Sequence, residues 1–546
     1  MTTPFTHDDL DRAFTRLRAA LTADPLSRRE ALIRSAALGV GAFGLAHTTS
    51  FAQEATPDIA TGDAPDPAAK SGGTLRVGLQ ADPTAFDPHL SNLTAAFHII
   101  EHVYNGLLGV NAALEPIPEL AESWEVSDDG LTYTFHLRDG VTFHNGRAFT
   151  SDDVKYTFER ITDPATASPR AEDFAGVTSI ETPDDLTAVF TLGAPDASFI
   201  SKIVASGSKI VAKEVVEENG NLENVLVGTG PFTFVDYVPN SSVSLQKYDG
   251  FWLEGRPYVD AIEFQIVPES TSRTAALVSN TVDFIEYAPV QDLPTFEADS
   301  SIEIAGDQNT NIRYASLNIS REPFDKLEVR QAIAKVIDRQ AIIDASVFGY
   351  GTATATVFPP TFWAGLDAEI PEVDIEGAKA LLESVGLGDG FSTTLHSWAA
   401  YPFLSNAAIV IQEQLKQIGI EAELDLQENA IYIENYFAGN YDISVTGTSG
   451  YVDPNDVISD YFDSNNNAIG YVNERVDELI ADGLAVTDLE QRAEIYREIQ
   501  SIVLEDLPWV SLFIANQYEA YKSYVKGYVH LATGSNASFR DVWLDQ

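Results

Sequence analysis

The chain has 546 residues, 45% of them hydrophobic and 10% aromatic; this exceeds what one core usually supports, so two or three domains are expected and a disordered chain is excluded. Its 33 basic and 82 acidic side chains leave a formal charge of −49, which repels nucleic-acid backbones and anionic membrane surfaces. The lack of cysteine removes disulfides, thiolate nucleophiles, iron–sulfur clusters, cysteine-ligated zinc and any lipid-modified cysteine.

In chain order, Arg28 and Arg29 precede an uncharged stretch from Ser35 to Ala46, and Ser50-Phe51-Ala52 offers a small-x-small site. Residues 1–52 resemble a twin-arginine export signal cleaved after Ala52, with a core too short and too rich in Gly and Ala to span a membrane. A soluble, exported, periplasmic protein is expected. Gly39 to Gly44 matches Gly-x-Gly-x-x-Gly, but no strand precedes it, so it is a coincidence of spacing. Residues 53–72, rich in Pro, Ala, Asp and Gly, read as a flexible leader, with folded structure beginning near Thr74.

Leu131, Tyr133, Phe135 and Leu137 alternate with polar residues and predict a strand. Asp139-Gly140 supplies a turn and Val141 with Phe143 resumes the alternation, predicting a hairpin that ends at Asn145-Gly146. Thr150 to Asp153 then caps a helix whose apolar face carries Val154, Phe158 and Ile161. Farther on, Ala261 to Val267 reads as a strand, Ser270 to Ser279 as a helix ended by Asn280, and Val282 to Glu286 as another strand. The pattern recurs after Asp374, with helices closed by Gly386 and Gly419 and strands near Ser392 to His396 and from Ile420. Alternating strands and helices predict α/β lobes with mostly parallel sheets.

The block LAESWEVSDDGLTYTFHLRDGVTFHNGRAFTSDDVKYTFERI resembles the signature of the family 5 extracellular solute-binding proteins, the dipeptide and oligopeptide receptors of ABC importers. The resemblance continues through GTGPFTFVDY from Gly228, PYVDAIEFQIVPESTSRTAALVSNTVDFIEY from Pro257, PFDKLEVRQAIAKVIDRQAII from Pro323 and IQEQLKQIGIEAEL from Ile411. It implies a type II periplasmic-binding-protein fold with two lobes, an inserted subdomain and a hinged ligand cleft. Lobe I would comprise residues 73–118, 228–312 and 518–546, the subdomain 119–227, and lobe II 313–517. The chain would cross between lobes near Asn311 to Leu317 and Ile514 to Tyr518.

The resemblance also implies a site. Asn92, Leu93 and Thr94 follow the Asp-Pro-His turn that precedes ligand contacts in peptide-binding relatives, and Arg170 stands where relatives use a tyrosine. The second lobe would add Trp398, Phe403, Asn429 and the loop Gly447 to Pro454, with Thr448, Ser449, Tyr451 and Asp453. Peptide receptors place an aspartate in that loop for the ligand's ammonium; the matching position here is Gly450 or Tyr451, so Asp453 would substitute only if the loop bends differently, and a sugar, opine or aromatic ligand would suit the site as well as a peptide. No cofactor is implied. The implied partners are a small solute or peptide and an inner-membrane permease with a separate ATPase, the chain itself acting as a monomer without catalysis.

Two other readings use the same residues. His98-Ile99-Ile100-Glu101-His102 matches the His-x-x-Glu-His zinc-peptidase pattern, with both imidazoles one helical turn apart, although no third ligand is evident. A periplasmic chaperone or chemoreceptor partner is compatible with the same fold. Neither a Gly-x-Ser-x-Gly elbow nor a phosphate-binding Gly-x-x-x-x-Gly-Lys-Ser/Thr loop occurs, which leaves acyl transfer and nucleotide hydrolysis without support.

Overall fold

The computed structural model describes residues 66–546 except Ala400, Ser449, Gly450 and Asn466, and omits the side chains of Asp307, Asn429 and Ala430. The expected export signal, the leader up to residue 65 and the site residue Ser449 lie outside the described residues. Residues 66–72, expected to close a flexible leader, are tied down instead. The Asp66 N–H donates to Tyr258 Oη at 2.6 Å, the Gly72 N–H to the Tyr258 carbonyl at 2.8 Å, and Lys70 pairs with Asp545 at 2.5 Å. Regular structure then begins with the strand Thr74–Leu79.

The strand Thr132–Leu137 buries Tyr133, Phe135 and Leu137 on one face, as the alternation requires. The hairpin expected at Asp139-Gly140 is corrected. The neighbours of this strand are Ala121–Val126 and Thr187–Leu192, both antiparallel. Each flanking strand offers a register of several residues, which three residues from Val141 to Phe143 cannot match. Gly140, at φ 76°, turns the chain out of the sheet into a separate narrow loop, closed by the Phe143 N–H on the Arg147 carbonyl around Asn145-Gly146. The following helix, Ser151–Thr162, buries Val154, Phe158 and Ile161, and the Asp153 carboxylate accepts the Thr150 N–H at 3.0 Å.

A large mixed sheet organises the rest. From one edge to the other its strands are Ile420–Gln427, Phe391–Trp398, Ile443–Gly447, Ile302–Leu317, Trp509–Lys522, Phe284–Ile285, Thr74–Leu79, Ala261–Ile266, Ser242–Lys247 and Phe232–Val238, with Gly351–Ala353 also paired to Trp509–Lys522. Thr74–Leu79 runs parallel to both its neighbours, and Phe391–Trp398 likewise. These are the strand–helix units legible in the sequence. The expectation of mostly parallel sheets fails elsewhere, because the chain crosses outward on Ile302–Leu317 and returns on Trp509–Lys522, and an outward and a returning strand side by side must be antiparallel. Their register breaks between Gln308 and Ile312.

Buried apolar side chains form separate clusters on the two sides of that crossing. One extends from Leu75 through Phe264 to Leu544 and takes in Phe135, Phe158 and Phe190 of the small antiparallel sheet. Another gathers Leu317, Ile333, Leu395, Ile411 and Val510, and a third Tyr314, Phe358, Phe462, Tyr496 and Trp509. The turn at Gly228 to Gly230 locks onto the end of the helix Thr94–Val103. A Cβ on Gly228 would lie 2.1 Å from the Val103 carbonyl oxygen, and one on Gly230 2.5 Å from that of His102. Only glycine allows this approach.

Candidate functional site

The turn before Asn92 is held from below by a buried ion pair. Arg160, on the helix Ser151–Thr162, donates to both Asp87 oxygens at 2.9 and 2.6 Å, and its Nη1 lies 2.6 Å from His89 Nδ1. His89 Nε2 lies 2.9 Å from the Lys209 carbonyl. Burial, joined by the Arg160 charge, pushes His89 down to about 4. The helix capped by Thr150 therefore contributes scaffold, and its arginine fixes the loop that carries Asn92 and Thr94.

Above this loop lies a cavity of about 370 Å³ assembled from segments far apart in sequence. Its walls come from Asn92 to Glu119, Arg170, Ser201 to Lys209, Tyr451 to Asp456 and Leu531 to Arg540. Six charged side chains face it: Arg170, Lys209, Arg540, Glu101, Glu119 and Asp456. Glu119 accepts the Gly106 N–H at 2.8 Å and lies 3.9 Å from Lys209 and 3.6 Å from Arg540. Glu101 accepts from Ser535 Oγ at 2.5 Å and from the Asn536 N–H at 2.7 Å, and burial raises its carboxyl above the usual range. Arg170 packs against the backbone at Gly207, 3.5 Å from Asp173.

Glu119 meets two cations and Glu101 two hydrogen-bond donors, whereas Asp456 accepts the Asp453 N–H at 3.3 Å. It stands in the first turn of the helix Asn455–Phe462, and among the described residues no cation lies within ion-pair distance of it. Burial, reinforced by the neighbouring Asp453 charge, pushes it up to about 7. A carboxyl so placed gains from any cationic group brought beside it.

Of the residues expected from sequence, Asn92, Thr94, Arg170 and Tyr451 line this one cavity. The Tyr451 ring packs edge-on against Phe358 and Phe362, and its buried hydroxyl has no hydrogen-bond partner among the described residues. Leu93 turns away and is 41% exposed. Phe403 and Thr448 meet elsewhere, at Arg313, with Trp398 one ring further out. The guanidinium lies 5.1 Å from the Phe403 centroid and 3.4 Å from the Thr448 carbonyl, while Trp398 packs on Tyr401 and Tyr432. Asn429 opens the helix Asn429–Phe437. Asp453 does not offer a free carboxylate. Arg492 donates to both of its oxygens, at 2.8 and 3.0 Å, and the pair is buried. A carboxylate neutralised in this way is spent on folding, whereas Asp456, three residues on, lines the cavity.

The zinc reading of His98, Glu101 and His102 is corrected. His102 is sandwiched between Phe539 and Phe264, with centroids 5.3 and 5.8 Å away, and neither of its nitrogens has a polar partner. Phenyl rings occupy the space a metal and its open position would need. Burial drives this imidazole down to about 3, so it is neutral packing. His98 pairs with Glu286 and its Nε2 meets the Gly534 carbonyl at 3.1 Å. No group of three or more His, Asp or Glu among the described residues is arranged to hold a metal ion.

Sequence reading missed Asp456, Glu101, Lys209, Arg540 and Arg313. Glu101 was visible only inside the zinc-like pattern, and an acid in the first turn of a helix, as Asp456 is, ordinarily signals no more than favourable capping. Arg313 had a signal. It shares strand parity with Ala315 and Leu317, both fully buried, so a charge falls on a core-facing register.

Two lobes sharing a mixed sheet, with a charged cavity walled by distant segments, define a protein built to enclose a small solute. The profile of the bacterial extracellular solute-binding proteins, family 5 Middle, matches residues 115–469. Heme-binding protein A of Haemophilus influenzae is 33% identical over 476 residues, 80% of this chain and 86% of that protein. Glutathione-binding protein GsiB of Escherichia coli K12 is 29% identical over 82% of this chain and 90% of its own length. The solved structure of AgaA from A. tumefaciens R10, in complex with agropinic acid, is 30% identical, with a TM-score of 0.74 over 87% of this chain and 99% of that one. The chain belongs to the family 5 bacterial extracellular solute-binding proteins, and its function is that of the solute-capturing component of an ABC importer. No helix among the described residues is long and apolar enough to cross a membrane.

Proposed function

We propose that this chain, exported to the periplasm as a monomer without catalytic activity, captures a small peptide-like solute carrying charges of both signs and presents it to a permease driven by a separate ATPase. The observation that carries this reading is the cavity of about 370 Å³ with three basic and three acidic side chains on its walls. That volume lies at the lower end of small-molecule sites, roughly 300–1,000 Å³. Relatives bind ligands as different as heme, glutathione and agropinic acid, so chemistry must choose among them. Charged walls favour a zwitterion over a flat, largely apolar macrocycle. Asp456 supplies the counter-charge for a ligand ammonium.

The lobes of this proposal are those expected from sequence: 73–118, 228–312 and 518–546 for lobe I with 119–227 inserted, and 313–517 for lobe II. The register break between Gln308 and Ile312 on the crossing strands marks where they would bend. A solute touching both lobes would stabilise the closed arrangement by its differential affinity for it. Native mass spectrometry of exported protein, followed by thermal-shift screening with dipeptides, tripeptides, glutathione and heme, tests the reading. Peptides should raise the melting temperature, since a ligand at a hundred times its Kd adds about 2.7 kcal/mol. A shift with heme alone, or with none of these, overturns it.

A further inference from the structure

Among the described residues Arg313 has no acidic partner. In a chain with 82 acidic and 33 basic side chains, charge balance alone would be expected to supply one. Among the described residues no carboxylate lies within ion-pair distance of it, its Nε is buried without a partner, and its one polar contact is the 3.4 Å approach of Nη1 to the Thr448 carbonyl. Desolvation pulls it down to about 10. A guanidinium held this way carries five donors, most of them unused.

The surroundings keep it reachable. Arg313 itself is half-buried, with Phe403 under its guanidinium and Tyr401, 37% exposed, beside that ring, so part of the group meets solvent. Gly447 completes the opening: a Cβ there would sit 2.3 Å from Arg313 Nη1, so glycine leaves room for the side chain. The same loop continues to Tyr451, whose N–H donates to Thr310 Oγ1 at 3.0 Å and whose ring lines the cavity. Arg313 and the cavity thus share one loop, at the point where the chain crosses between lobes.

We propose that Arg313 is the anion subsite of this protein, taking a carboxylate of the bound solute in a bidentate grip with Trp398, Tyr401 and Phe403 as its apolar walls. This rests on the peptide-like ligand class inferred above. A planar guanidinium matches a planar carboxylate with two parallel N–H donors, and the unpartnered Nε–H is one of the donors such a grip uses. A solute carrying a carboxylate at one end and an ammonium at the other would then be read by Arg313 and Asp456.

The test uses the full exported protein with Gly-Tyr and tri-alanine, each as free acid and as carboxy-terminal amide, titrated calorimetrically into wild type, Arg313→Gln and Arg313→Lys. The free acids should bind wild type about tenfold or more tightly than the amides. Arg313→Gln should abolish that preference by weakening the free acids far more than the amides, and Arg313→Lys should restore part of it. Wild type binding acid and amide equally would overturn the subsite and leave the peptide reading standing. Binding of neither form overturns the peptide reading and the subsite with it. A lowered melting temperature in Arg313→Gln with the acid preference intact would reduce Arg313 to packing and overturn the proposal as well.

Discussion

Replacing Asp456 with Asn removes a carboxyl whose titration is moved from 3.8 to about 7 by burial and by Asp453. Between those values the folded protein holds a proton that the unfolded chain has released, so stability falls as pH rises through that window. The whole shift of roughly three units corresponds to about 4 kcal/mol, of which about 2 kcal/mol is lost between pH 5.5 and 8. Asn keeps the shape and neutrality of the protonated acid. In solute-free protein, checked by native mass spectrometry, the stability of Asp456→Asn relative to wild type should therefore rise by about 2 kcal/mol from pH 5.5 to 8. Urea midpoints report this directly; in thermal melts it amounts to about 2 °C, since a chain of this length unfolds with an entropy near 1 kcal/mol/K. The same substitution should weaken binding of amino-terminally charged peptides. A stability difference that stays constant across this pH range refutes the reasoning, because it would mean that Asp456 keeps an ordinary affinity for its proton.

Three further outcomes are expected. Arg492→Met leaves Asp453 buried without its partner and should cost about 3–5 kcal/mol in urea unfolding, most of which Asp453→Leu in the same chain should recover; an additive double variant would contradict the pairing. Burial alone would lower His98, but the Glu286 charge overrides it and raises the imidazole to about 9. Its contribution, about 3 kcal/mol, is present in full below the unfolded value of 6.5 and is lost as pH rises through 9, so His98→Gln should flatten the decline in melting temperature between pH 7 and 10. His102→Phe should change stability by less than about 1.5 kcal/mol and leave the zinc content unaltered, as a swap of one flat ring for another between Phe539 and Phe264 requires.

Much of the local structure was legible because short-range rules decide it. Asn280, Gly386 and Gly419 all take positive φ at the helix ends where the sequence placed them, and the Asp374 side chain accepts the Gly377 N–H at 2.8 Å as a cap should. The candidate site was legible only in part. Asn92, Thr94, Arg170 and Tyr451 converge on one cavity, whereas Phe403 and Thr448 converge on Arg313, a residue no motif announced.

Alternation, turn dipeptides and caps are interactions among residues a few positions apart, and the sequence alone settles them whatever the rest of the chain does. Strand partners and charge partners are different. Asp453 and Asp456 stand three residues apart, one just before the helix Asn455–Phe462 and one in its first turn, yet Arg492 reaches only the first. That choice, the unpaired state of Arg313, and the rejection of Val141 to Phe143 by a strand with both edges already filled were made by packing across the whole molecule. Distance in space decides which charge is neutralised and which keeps no counter-charge, and it exists only once the chain has folded.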